Sequence, residues 1–332
     1  MKCSRSLDIA THTRAATGEL GIDWRMLSPL LLAILGMASM QKAPPVKVFV
    51  LAGQSNMVGH GFIAADPKRN GGMGSLEQVV RDPASNKKFK QLLNKDGTWR
   101  IRDDVWIHYF DRKGRLTVGY GAGTDCIGPE LGFGSVVGDF IREPVVLIKL
   151  AWGGKSLAED FRPPSSGGTV GPYYSEVVQG AKDAMANVGT HFPELKGRPV
   201  QLVGFGWHQG WNDRINDGFV QEYGQNMANF IRDIRKDLRA PNLPFVIAET
   251  GMGGAEEKNE RALELMRAQA AVPQLEEFKS NVAFVGTRAL WRPTEVSPSD
   301  QVYHWNSNAE TYYLIGDGMG RAMTDLLKRA SR

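Results

Sequence analysis

The stretch VKVFVLAGQSNM, residues 46–57, decides how the rest of the chain is read. Val46–Ala52 is an apolar run, interrupted only by Lys47 and rich in β-branched residues, the signature of a strand buried on both faces. Gly53 ends it and allows a tight turn. A serine, Ser55, then stands between two amides, Gln54 and Asn56. The same pattern of apolar run and polar stop recurs at Pro144–Ala151, Val200–Trp207 and Pro244–Glu249, with a shorter run at Val282–Val285. Helical periodicity fills the intervals, at Pro129–Ile141, Tyr173–Asn187, Phe219–Leu238 and Glu256–Ala271. A last helix over Asn308–Arg329 carries Tyr312, Ile315, Met319, Met323 and Leu326 on one face. Strand and helix alternate, which predicts an α/β fold: a three-layer α/β/α sandwich around a central parallel sheet. Ligands of such sheets sit outside the carboxyl ends of the strands, so the residues just after each run carry the most weight.

The 332 residues suit one large α/β domain, and 42% hydrophobic with 23% charged residues is a globular composition. The net charge of +4 is spread without a basic block, which argues against a nucleic-acid surface. Residues 1–41 differ from the rest. Leu30–Ala38 is an apolar run of nine, too short to span a bilayer, and small residues follow at Ala38 and Ser39. This predicts a signal or processed segment over 1–41, with its signal-like core around residues 26–40, and a secreted or periplasmic protein spanning 42–332; a translation start at Met26 is one explanation of the 25 residues before that core. An amphipathic helix of the mature fold is the other reading of 26–40. Cys3 and Cys126 are the only cysteines, so the mature chain would have no internal disulfide. Residues 58–126 are rich in Lys, Asp, Asn and Gly, and Val105–Phe110, Gly114 and Leu116–Val118 have a hairpin pattern. They read as an insertion after the first strand.

Ser55 is either a nucleophile or the N-cap of a following helix. It does not fit the G-x-S-x-G elbow, because position 57 is Met. A nucleophilic serine needs a base. Of the six histidines, His12 lies in the processed segment, His108 in the hairpin and His191 at a helix end. His60 follows Ser55 by only five residues, too near to face it across the turn. His208, in GFGWHQGWND, and His304, in QVYHWNSN, remain. Donors for an oxyanion are available in KLAWGGKSL (149–157) and WHQGWND (207–213), with Gly154 and Asn212 foremost. The GKS at 154–156 is no phosphate loop, since Lys149 stands where its first glycine belongs. Gly132, Gly134 and Gly138 lack dinucleotide spacing. No two histidines lie three or four apart, so the sequence calls for no metal and no organic cofactor.

The strand–GQSNM, strand–WGGKS and strand–QGWND turns, with GPELGFG (128–134) and YHWN downstream, together resemble the SGNH (GDSL-like) hydrolases. More narrowly, they resemble the sialate O-acetylesterase-like branch, akin to carbohydrate esterase family six, which has GQSN where others have GDS. The resemblance covers roughly Val46 to Met323 and implies the flavodoxin-like SGNH fold and a carbohydrate acetylesterase. It implies Ser55 as nucleophile and His304 as base. Its oxyanion hole would be the amides of Ser55 and Gly154 with the Asn212 side chain, Gln209 being a nearby alternative. Its aspartate belongs three residues before the base, where this chain has Gln301. Asp300 is the expected orienting acid if the loop holds an extra residue; Glu295, or a Ser–His dyad, are the alternatives. Gln54, Asn56, Glu130, Lys149, Trp207, His208 and Trp211 are expected around the substrate, an acetylated carbohydrate. Two other readings are open: a carbohydrate-binding protein without chemistry, and a short-chain lipid or thioester hydrolase of the same superfamily.

Overall fold

The computed structural model describes residues 43–84 and 86–330, so the expected signal segment lies outside the described residues. The strands are β1 (Val46–Gly53), β2 (Gly61–Phe62), β3 (Val105–Tyr109), β4 (Arg112–Arg115), β5 (Cys126–Ile127), β6 (Val145–Ala151), β7 (Val200–His208), β8 (Phe245–Ala248) and β9 (Val282–Val285). The helices that matter for the site are α1 (Ser55–Val58), α2 (Pro129–Phe140), α3 (Pro172–Ala186), α4 (Asp217–Asp237), α5 (Glu260–Ala271) and α6 (Ala309–Ala330). Seven strands form the central sheet in the order β4-β3-β6-β1-β7-β8-β9, and β2 pairs separately with β5. Every pairing in the sheet is parallel except β3 with β4 at one edge.

This is the expected fold, with one correction. The 58–126 segment is not wholly an insertion: β3 pairs in parallel with β6 and is a full member of the sheet. Four of its five residues, Val105, Trp106, Ile107 and Tyr109, are buried. The short run sits among Arg, Asp and Lys, so local composition hid a strand that long-range pairing creates.

β1 lies at the middle of the sheet, and its alternation sorts the two helix layers. Val46, Val48, Val50 and Ala52 pack into a cluster with Val177 and Ala181 of α3 and Met227, Phe230 and Ile231 of α4. Phe49 and Leu51 face the other cluster, with Leu131, Phe133 and Val137 of α2 and Tyr312, Ile315, Met319 and Met323 of α6. Each such side chain taken fully from water contributes about 1.5–3 kcal/mol. α2 and α6 approach so closely that a Cβ on Gly132 would strike the Tyr313 carbonyl, and one on Gly316 the Pro129 carbonyl.

Register is what matters for function. Gly53 of β1 stands opposite Ala151 of β6 on one side and His208 of β7 on the other. Three strands therefore end level, and the turns at 54–56, 152–156 and 209–213 emerge side by side. The chain fills one side of β1 with β3, β4 and β6 and then crosses to the other side for β7, β8 and β9, so this is also the switch point where such sheets bind ligands.

Candidate active site

At the end of β1, Gly53 has a φ of +152°, and a Cβ there would run into the carbonyl of His208. Only glycine lets the chain turn this close to β7. The N-cap of α1 is Gln54, whose side chain makes no cap bond, and Ser55 is the first helical residue. Ser55 is therefore not the cap. Gln54 reaches sideways instead: its Oε1 accepts the N–H of Gly210 at 3.0 Å and of Asn212 at 3.3 Å, and its Nε2 donates to Asn212 Oδ1 at 3.1 Å. With Oδ1 as the accepting atom, Asn212 Nδ2 is left to donate elsewhere. Asn56 reaches the opposite way. Its Nδ2 donates to the Tyr303 carbonyl at 3.0 Å, and its Oδ1 accepts from Tyr312 Oη at 2.9 Å. Tyr312 Oη also lies 3.2 Å from the His304 carbonyl oxygen. The two amides flanking Ser55 thus tie its turn to the 210–212 loop on one side and to the histidine loop on the other.

The second loop begins at Trp152. A Cβ added to Gly153 would lie 4.0 Å from Ser55 Cβ, so this glycine passes next to the serine. Gly154, with φ +69°, comes next and has open space on its flank. Asp213 straps this loop to the third. It is fully buried and accepts the N–H of Leu157 at 2.9 Å and of Ala158 at 2.9 Å, and a short bond from Gln209 Nε2. Burial pushes its carboxyl up to about 7, against the pull of those donors. Gln209 also donates Nε2 to the Lys155 carbonyl at 2.9 Å. Both hydrogens of its amide are engaged, so Gln209 is a strap and not the alternative oxyanion donor.

His304 sits in a short helical loop, Val302–Ser307, just before α6. The three residues after it, Trp305, Asn306 and Ser307, have φ of 53°, 53° and 56°. Left-handed backbone costs roughly 1–2 kcal/mol at each non-glycine residue. The surroundings impose it: Trp305 is wholly buried, Asn306 Nδ2 donates to the Arg292 carbonyl at 3.1 Å, and the Ser299 and Ser307 hydroxyls meet at 3.1 Å. Strain of this kind concentrates at functional sites. His304 Nδ1 is 3.4 Å from Gln301 Oε1. Asp300 and Glu295 are exposed, and neither carboxylate bonds to the ring. The expectation that Asp300 is the orienting acid is corrected accordingly. The side chain beside Nδ1 is the amide of Gln301.

One neighbour was not expected. His60 stacks on His304, ring centroids 3.7 Å apart and planes within 8°. α1 is only four residues long and ends at Gly59, whose φ of +89° swings the chain back over the serine turn. The sequence signal was that glycine; nearness to Ser55 had argued against His60. Both imidazoles are lowered to about 4, His304 by burial and then by His60, and His60 by burial and then by Lys149.

Several residues expected at the substrate are enclosed instead. Glu130 and Lys149 are fully buried. Lys149 Nζ donates at 2.7 Å to Glu130 Oε2 and to the carbonyls of Val58 and Tyr120, which uses all three hydrogens. Glu130 Oε1 accepts from Gly128 N–H at 2.8 Å. The pair pins the exit of α1 to α2. Trp207 is core, its Nε1 donating to Tyr223 Oη at 3.4 Å. His208 is buried, with Nδ1 3.4 Å from the Ala248 carbonyl, and burial lowers it to about 4. Gln54 and Asn56 are likewise spent on the scaffold. Trp211 alone of that group is partly open, between the Arg214 guanidinium 3.4 Å above its ring and Tyr303 at 5.9 Å. Trp152 is half-buried on the other side, beside Phe110 and Tyr173.

Residues 45–324 match the model of a family described as carbohydrate esterase, sialic acid-specific acetylesterase. This chain belongs to that family. A probable carbohydrate esterase of Arabidopsis thaliana is 23% identical over 219 residues, 64% of this chain and 71% of that protein. A crystal structure of an Arabidopsis thaliana protein superposes with a TM-score of 0.56 at 17% identity, over 85% of this chain and 99% of that one. A carbohydrate acetylesterase from Xanthomonas citri gives 0.49 at 14% identity, over 83% of this chain and 55% of that one. Membership of this carbohydrate esterase family makes the chain a carboxylic ester hydrolase. Among the described residues, no helix is long and apolar enough to cross a membrane.

Proposed function

We propose that the protein removes O-acetyl groups from a carbohydrate with Ser55 as nucleophile and His304 as general base. The level ends of β1, β6 and β7 carry this reading, because they gather Ser55, the Gly153–Gly154 turn and Asn212. The Asn56–Tyr303 bond brings the His304 loop to the same point. With Nδ1–H donated to Gln301 Oε1, His304 presents an unprotonated Nε2. Nε2 takes the hydroxyl proton as Ser55 Oγ attacks the acetyl carbonyl. The carbonyl oxygen becomes an oxyanion, met by the backbone amides of Ser55 and Gly154 and by Asn212 Nδ2. The proton returns to the departing sugar oxygen, leaving acetyl on Ser55. Water, deprotonated by His304, then releases acetate. Trp211 with Tyr303, and Trp152 with Phe110, offer aromatic faces on either side for sugar rings. The short apolar run before residue 41 supports export to the periplasm or exterior, and mass spectrometry of the mature N-terminus checks that.

The test is acetate release from p-nitrophenyl acetate and from acetylated xylan or sialate. Ser55→Ala and His304→Ala are expected to lower kcat by at least a thousandfold, and a fluorophosphonate is expected to label Ser55. Full activity in Ser55→Ala would sink the mechanism.

A further inference from the structure

Resting on that reading, we infer that His60 is a positioning residue: its ring, stacked face to face on His304, holds the base in place where no carboxylate does. The observation is the 3.7 Å, 8° stack. In a Ser-His-Asp site the acid fixes the imidazole and stabilises the imidazolium. Here the atom beside Nδ1 is a neutral amide oxygen at 3.4 Å, on an exposed side chain. One long bond to an exposed residue fixes a tautomer but leaves the ring free to tilt. A second ring lying flat on the first removes that tilt.

His60 is itself held. Its chain enters over Gly59, whose Cα lies against Gly128, and leaves into β2, which pairs with β5. Lys149 Nζ is bonded to the Val58 carbonyl two residues upstream. That buried cation and the burial of the ring keep His60 neutral above about pH 4. A neutral ring is what the site needs. When His304 gains the serine proton, a cationic neighbour would repel it, whereas a neutral π face attracts it. The other groups facing the pair are Tyr303, edge-on to His304 at 4.5 Å, and the Tyr312 hydroxyl by the His304 carbonyl. Glu130 is already committed to Lys149. The stacked geometry also separates this arrangement from a metal site, because the in-plane lone pairs of two parallel rings do not converge on one ion.

The experiment compares wild type with His60→Ala and His60→Phe, measuring kcat and KM on p-nitrophenyl acetate and the NMR titration of His304. His60→Ala is expected to lower kcat about tenfold or more with KM little changed, as for a misplaced base. It is also expected to raise the His304 titration from about 4 toward its ordinary 6.5 by admitting water. His60→Phe, which restores a flat face, is expected to recover most of kcat and keep His304 low. Unchanged kcat in His60→Ala overturns the inference, and so does a loss that Phe fails to restore. Should His60→Ala unfold, His60→Leu fills the space without a planar face and is expected to lose kcat as Ala would. If the wild type itself turns over no acetyl ester, the esterase mechanism fails. The titration then decides the stack: a His304 that titrates alike in all variants overturns it.

Discussion

A glutamine amide beside His304 changes what that histidine can do. A carboxylate at position 301 would stabilise imidazolium by charge; the Gln301 oxygen offers only a dipole, 3.4 Å away. His304 is accordingly held down to about 4, mainly by burial. In the proposed mechanism His304 works unprotonated, and its folded-state titration lies below the ordinary 6.5, so kcat/KM is expected to stay on its plateau at pH 6 and to fall on an acid limb near pH 4. Gln301→Glu puts a charge beside the ring and raises its titration, so the acid limb is expected to move up by about a unit or more. Gln301→Ala leaves the limb low and cuts kcat. A pH profile of kcat/KM for the three proteins checks all of this. The sequence showed the odd residue at 301. It did not show which neighbour would answer for it, because the stack with His60 depends on a four-residue helix turning back at Gly59, and on the fold of a loop far downstream.

Among the elements, the loops after β6 and β7 are joined through one carboxylate. Asp213 accepts from Leu157, Ala158 and Gln209, and no water-exposed surface is left on it. Asp213→Ala removes the acceptor and leaves three buried donors unpaired, at roughly 1–3 kcal/mol each before relaxation. It is expected to lower stability by at least about 2 kcal/mol in urea unfolding and to reduce kcat, since the Gly153–Gly154 turn loses its strap. The Lys149–Glu130 pair does the same service between α1 and α2. Lys149→Met strands a buried carboxylate and is expected to cost about 3–5 kcal/mol, while adding Glu130→Gln should restore part of that loss. A double-mutant cycle by chemical denaturation measures it. Both devices explain why reading the site from sequence alone overreaches. Glu130, Lys149, Trp207, His208 and Gln209 do lie at or near strand ends or helix starts around the end of β1, as their positions said. Sequence position fixes the neighbourhood, but whether a polar side chain turns to the ligand or to the scaffold depends on buried partners contributed by other segments.

For the whole molecule, the fold was legible because apolar runs and helical periods are local, and β1, β6, β7, β8 and β9 all fall within or beside the expected runs. β3 was missed as a sheet member because only its pairing with β6 makes it one. The charge pattern adds a property that belongs to no single element. Every histidine among the described residues is lowered from its ordinary value: His60, His108, His208 and His304 to about 4, and His191 in the same direction. Burial is the first cause in each. The unfolded chain takes up these protons near pH 6.5, whereas the folded protein refuses them until about pH 4. Stability carried by the neutral rings is therefore complete above about 6.5 and is lost as pH falls through that window. Asp213 opposes the trend by one proton. Its folded carboxyl protonates near 7 and its unfolded one near 3.8, so acidification through the same range favours the fold at that site. Several histidines against one aspartate leave a net uptake on unfolding. The urea midpoint is expected to fall clearly between about pH 7 and pH 5, and His208→Gln, which removes one buried imidazole, should flatten that slope by about one proton. A midpoint that is level or rises on acidification would show that the buried rings are solvated enough to titrate normally.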